Sequence, residues 1–181
     1  MQLGPDGRLF RDNPKSNGNF YGYGAEVLAV ADARVADLRD DVAENQGNNP
    51  RSGRHVTVDS AVGNYITLDL GEGRFALYAH LQPHSLKVKL GDKVTAGQVI
   101  ASLGNSGNSD TPHLHFHLMD ANSPLGGEGL PYELNTFTQT GTVDGSEELL
   151  DAGEPWRPRG KDKAAVHNHE FPANNAVVTF P

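Results

Sequence analysis

The stretch Pro112-His113-Leu114-His115-Phe116-His117-Leu118 constrains this chain more than any other. Its histidines alternate with apolar residues, which is the pattern of a β-strand, where successive side chains point to opposite faces. His113, His115 and His117 then share one face, and Leu114, Phe116 and Leu118 share the other. A row of neutral nitrogen donors backed by an apolar face is what a metal-dependent hydrolase uses to hold zinc and steer a bound water. The same pattern also suits a strand whose histidines simply face solvent.

Cysteine is absent, so disulfides and thiolate metal sites are excluded, and any metal must be held by His, Asp or Glu. The formal charge of −8 argues against a nucleic-acid binder, which needs a basic face to neutralise phosphates. With 21 Gly, 11 Pro and 36% hydrophobic residues, the chain has the profile of short strands joined by turns. Its 181 residues suffice for one domain, or for a domain with an extended tail. No apolar run reaches the length of a membrane span, and the N-terminus has no signal-peptide core. The compartment is not encoded in the residues themselves.

Residues 1–23 are rich in Gly, Asn, Asp and Pro and read as an N-terminal loop segment. From residue 24 the pattern turns to strands, expected over 25–30, 33–38, 55–59, 64–70, 74–80, 86–90 and 94–103. Gly71-Glu72-Gly73 reads as a hairpin turn, and the polar residues 40–53 as a surface excursion. Before residue 120 nothing carries an apolar stripe of 3.6-residue period, so the fold class is mainly β, with an antiparallel β-sheet core and a groove. The main domain is expected over 24–137, with an irregular, partly flexible extension over 138–181. In that extension residues 147–151 and 160–163 read as exposed, and 176–181 as a short strand packing back on the domain.

Four motifs follow in order: Tyr78-Ala79-His80-Leu81, the Gly91-Asp92 corner, Gly104-Asn105-Ser106-Gly107-Asn108-Ser109, and Pro112-His113-Leu114-His115-Phe116. Together, over residues 21–134, they resemble the lysostaphin/LytM-type zinc metalloendopeptidases, metallopeptidase family 23. The resemblance implies a LytM-like duplicated hybrid motif of β-strands, a zinc cofactor, and peptidoglycan or a related peptide as substrate. It further implies an extracytoplasmic setting. Carried over residue by residue, it makes His115 a zinc ligand and makes His113 and His80 the catalytic histidines. The last role suits imidazole, whose pKa lies near neutrality. His117 has no role in the family and is expected at a solvated rim.

One family motif is missing. The other two zinc ligands there are a His and an Asp four residues apart, lying before the strand that matches residues 27–30. No histidine precedes His55 in this chain. Met1-Gln2-Leu3-Gly4-Pro5-Asp6-Gly7 resembles the segment just downstream of that pair, so the chain is expected to begin immediately after it. Asp6, Asp12, Asp110 and His84 are conceivable stand-ins, although no local pattern aims them at the histidine strand. With His115 alone, zinc binding is expected to be weak. His167-Asn168-His169, a second His-x-His, lies in a charged tail and reads as solvated.

Two functions follow. One is a zinc endopeptidase of cell-wall peptide cross-links; the other is a non-catalytic binding or regulatory module of the same fold. A third resemblance, of residues 88–100 to the corner of biotinyl and lipoyl carrier domains, fails because no lysine is displayed at a hairpin tip.

Overall fold

The computed structural model describes residues 1–47, 57–143, 152–158 and 163–181. Its strands are β1 (Glu26–Leu28), β2 (Ala33–Arg39), β3 (Asn64–Gly71), β4 (Arg74–Leu81), β5 (Lys93–Val94), β6 (Val99–Ser102) and β7 (His115–Met119). They continue with β8 (Gly129–Leu130), β9 (Leu134–Thr142), β10 (Ala165–Glu170) and β11 (Ala176–Thr179). A six-stranded antiparallel sheet runs β5-β2-β3-β4-β7-β8, β1 pairs with β6, and β9 lies between β10 and β11 in a third sheet. The mainly antiparallel β fold expected from the sequence is the fold observed.

Register explains where the core sits. Ile66 pairs with Tyr78 and Leu68 with Ala76, while Tyr78 and Ala76 pair with Phe116 and Leu118. Directly opposed residues share a face, so these side chains form one apolar layer. Val27, Ile100 and Ala101 of the β1–β6 ribbon pack on that layer and complete the main core. Full burial of each large side chain there stabilises by roughly 1.5–3 kcal/mol. The Tyr78 hydroxyl accepts a hydrogen bond from the Val30 backbone N–H at 2.9 Å, tying the β1–β2 connection to the sheet. Burial pushes the Tyr78 pKa up to about 12.

The opposite face of the same strands carries Leu77 and Ala79 on β4, and His117 and His115 across from them on β7. The sheet therefore has a core face and a histidine face. The turn Gly71-Glu72-Gly73 closes the β3–β4 hairpin as expected; Glu72 (φ 55°) and Gly73 (φ 71°) both take the left-handed conformation a type I′ turn requires.

Several elements differ from their sequence reading. Val58–Ala61 forms one helical turn, α1, where a strand was expected to end. Thr57 and Ser60 cap it reciprocally, each side chain bonding to the other's backbone N–H, and this local bonding prevails over the β-branched residues nearby. The run 94–103 is split by a turn at Gly97 (φ 80°) into β5 and β6. Residues 86–90 form no strand, although the Lys87 N–H bonds to the Ile100 carbonyl. A strand over 176–179 is present, and β9 and β10 were not anticipated. Of the surface excursion expected over 40–53, residues 48–53 lie outside the described residues, as do 147–151 and residues 160–162 of the run expected over 160–163.

Candidate active site

Strict alternation along β4 would place His80 with Tyr78, on the core face. It does not go there. Between the pairs Ile66–Tyr78 and Asn64–Leu81, two residues of β4 stand opposite one residue of β3, which is a β-bulge. His80 occupies it with φ 61°, a left-handed conformation that costs a non-glycine residue roughly 1–2 kcal/mol. The bulge re-aims the imidazole toward the histidine face. Its ring centroid lies 4.8 Å from that of His113 and 5.8 Å from that of His115.

The bulge is clipped in place by Ser106. The Ser106 hydroxyl accepts from the Asn64 N–H (2.9 Å) and donates to the Leu81 carbonyl (2.8 Å), replacing ladder bonds lost at the irregularity. The Ser106 carbonyl lies 2.8 Å from His80 Nδ1. A carbonyl only accepts, so Nδ1 carries the proton and Nε2 keeps a free lone pair. Burial, and then the neighbouring His113, lower the His80 pKa from 6.5 to about 4, against a smaller opposing effect of the Ser106 carbonyl. His80 is therefore neutral at physiological pH.

Pairing of β4 with β7 ends at Ala79–His115, just before the bulge, so β7 starts at His115 and His113 lies on the loop before it. Pro112 has no N–H to extend the ladder. His113 thus meets His80 from a loop rather than from the strand expected. Its Nδ1 is 2.8 Å from the Thr111 carbonyl, which fixes the same tautomer as in His80. Two imidazoles stand together, each protonated on Nδ1 and each with a bare Nε2.

His115 is exposed, and its Nε2 is 3.0 Å from His117 Nδ1. Partial desolvation, with His117 and His113 nearby, lowers the His115 pKa, and desolvation lowers that of His117. A cavity of about 200 Å³ adjoins His80 and His115, walled by Val62, Leu77, Ala79, Pro124 and Leu125. A larger hollow, about 830 Å³, lies elsewhere, between the N-terminal loop and β11, with no histidine on its wall. His80 and His115 thus adjoin the smaller one.

Zinc is the metal the family resemblance implies. Among the described residues, no three His, Asp or Glu side chains come together to hold a metal ion. Asp6, Asp12, Asp110 and His84 accordingly do not join His115 in such a group; Asp6 instead accepts from the Arg8 N–H. The residues described do not by themselves close a zinc site. The second His-x-His is in β10, where His167 stacks on Phe137 and bonds Glu170 at 2.8 Å.

Sequence reading named Asn105, Ser106 and Ser109 only as members of a family motif, with no role at the site, and did not name Asn45; all four are buried. The Gly/Asn/Ser composition of residues 104–109 signalled a turn-rich loop, but its side chains are consumed by hydrogen bonds beneath the histidines.

A family model for peptidase family M23 matches residues 19–126. The chain belongs to peptidase family M23. It is 50% identical over 111 residues to the glycyl-glycine endopeptidase ALE-1 of Staphylococcus capitis, covering 58% of this chain and 25% of that protein. It is 38% identical over 63 residues to the peptidoglycan DD-endopeptidase ShyA of Vibrio cholerae, covering 35% of this chain and 14% of that one. The chain thus matches a quarter or less of the length of these relatives. The crystallised catalytic domain of lysostaphin from Staphylococcus simulans is similar at 24% identity, with a TM-score of 0.42, over 70% of this chain and 86% of that domain.

Proposed function

We propose that this domain hydrolyses peptide bonds in the cross-links of bacterial cell wall, with His80 and His113 handling protons, His115 as a zinc ligand, and the zinc ligand set of this chain only partial. The observation that carries the reading is the convergence of His80 and His113, ring centroids 4.8 Å apart, with their Nδ1 protons spent on backbone carbonyls. Bare Nε2 atoms are bases. Either can take a proton from an attacking water and, so charged, hand that same proton from Nε2 to the departing amine, while its neutral neighbour stays within reach as a second base; such proton transfer is worth typically 10²–10⁴-fold in rate. Membership of family M23, and relatives whose names record peptidoglycan and glycyl-glycine endopeptidases, support a cell-wall peptide as substrate and an extracytoplasmic setting. No described helix is long and apolar enough to cross a membrane.

A non-catalytic binding or regulatory module is the second reading. It is favoured by the engagement of His115 Nε2 with His117, and by the lack of a three-ligand group among the described residues. Turbidity of purified peptidoglycan, followed at saturating zinc with and without chelator, separates the two. Chelator-sensitive clearing that disappears in His113→Ala carries the endopeptidase reading. Retention of the chain on the walls without clearing carries the module instead.

A further inference from the structure

Beneath His113 lies a chain of buried and half-buried amide and hydroxyl groups in which the amide orientations are fixed. Asn105 is fully buried, and its Nδ2 donates to the Gly47 carbonyl (3.1 Å) and to Asn17 Oδ1 (3.0 Å). The Gly47 carbonyl can only accept, so the Asn105 amide cannot be flipped, and its Oδ1 faces Ser109. Asn17 is fixed the same way, because its Oδ1 also accepts from the Gly47 N–H at 2.7 Å. Ser109 Oγ then lies 2.7 Å from Asn105 Oδ1, 2.9 Å from the Thr111 carbonyl and 3.2 Å from His113 Nδ1.

The Ser109 hydroxyl has one proton and three neighbours. Two of them, Asn105 Oδ1 and the Thr111 carbonyl, are acceptors, and the third is an imidazole nitrogen that can be either. We propose that Asn105 is a positioning residue for His113: by taking the Ser109 proton, it turns a Ser109 lone pair toward Nδ1 and reserves the Thr111 carbonyl for the Nδ1 proton. The imidazole is thereby locked with Nδ1 protonated and Nε2 bare toward His80. Without Asn105, the freed hydroxyl divides between the Thr111 carbonyl (2.9 Å) and Nδ1 (3.2 Å), and the share that donates to Nδ1 favours the opposite tautomer, which caps Nε2 with a proton and removes its basicity. Asn17 extends the same control to the N-terminal segment, more than eighty residues away in sequence.

The consequence for catalysis rests on the peptidase reading above, whereas the tautomer itself is read without any activity. The test is long-range ¹H–¹⁵N correlation on histidine-labelled protein with its imidazoles neutral. Wild type is expected to show His113 protonated on Nδ1. In Asn105→Ala the Nε2-protonated form should rise roughly tenfold, the change of one ordinary hydrogen bond, while the His80 signal stays put as an internal control. Ser109→Ala alone should keep the wild-type tautomer, because the Thr111 carbonyl remains. The double variant Asn105→Ala/Ser109→Ala should restore it, since the competing proton is gone. A purely structural role for Asn105 makes the double variant no better than the single one, and that result overturns the proposal. Should Asn105→Ala fail to fold, the wild-type hydroxyl proton decides: cross-peaks from it to Asn105 are expected, and cross-peaks to Thr111 alone would contradict the assignment.

Discussion

His80 carries most of the site's physical tension. It is buried, neutral, and held in a backbone conformation that histidine rarely adopts. Its folded-state pKa of about 4 lies below the ordinary 6.5, so the unfolded chain binds more protons between those values. Stability is therefore fully present above about pH 6.5 and is lost as pH falls toward 4, by up to about 3 kcal/mol for this one residue. His115 and His117 shift in the same direction and add to the loss. Urea unfolding over that range should show the slope in wild type and a clearly shallower one in His80→Asn. Equal slopes would mean that His80 titrates as a solvated group. The identity of this histidine was legible in the sequence, through Tyr78-Ala79-His80-Leu81. Its direction was not, because period-two reasoning puts it on the core face and only the bulge turns it round.

Two local devices determine whether the elements hold the site. Ser106 satisfies Asn64 N–H and Leu81 C=O at the bulge, both inside the protein. Ser106→Ala leaves both without that partner and should destabilise by roughly 2–4 kcal/mol in chemical denaturation, with His80 losing its single ordered ring position. Gly63 packs against the same residue: a Cβ there would stand 2.5 Å from Ser106 Oγ, at φ 70°. Gly63→Ala should thus be at least as damaging, by more than about 2 kcal/mol. The β3–β4 turn offers the opposite change. Glu72 sits at φ 55° in a type I′ turn, where asparagine is preferred, and its ion pair with Arg74 is exposed. Glu72→Asn should raise stability by about 0.5–1 kcal/mol.

Strands β2, β3, β4 and β7 were legible because alternation and turn residues agree there. Helix α1 was not, since its capping box spans only Thr57 to Ser60 and the surrounding residues favour strand. Strands β9 and β10 escaped for another reason. Their sequences lack a clean alternation, and they are stabilised by pairing with each other and with β11 across a long stretch of chain.

At the scale of the molecule, one sheet divides two tasks. Its core face holds the β1–β6 ribbon, and its other face gathers His80, His113, His115 and His117 from a bulge, a loop and a strand. The family was legible in the sequence, because its motifs fall in order along it, and those motifs also contain the three histidines that the fold brings together. The motif of residues 104–109 was legible too, but the supporting role of Asn105, Ser106 and Ser109, and of Asn45, was not, because small polar residues in a loop look the same whether they are solvated or buried. In the proposed function, His80 and His113 act beside a zinc ligand set of which His115 is a member. Titration of the purified chain with zinc in a calorimeter tests that union most directly. Binding weaker than micromolar is expected, weakened further in His115→Ala, since a lone ligand cannot match a full set. Sub-micromolar binding by the chain, or binding indifferent to His115→Ala, would contradict it.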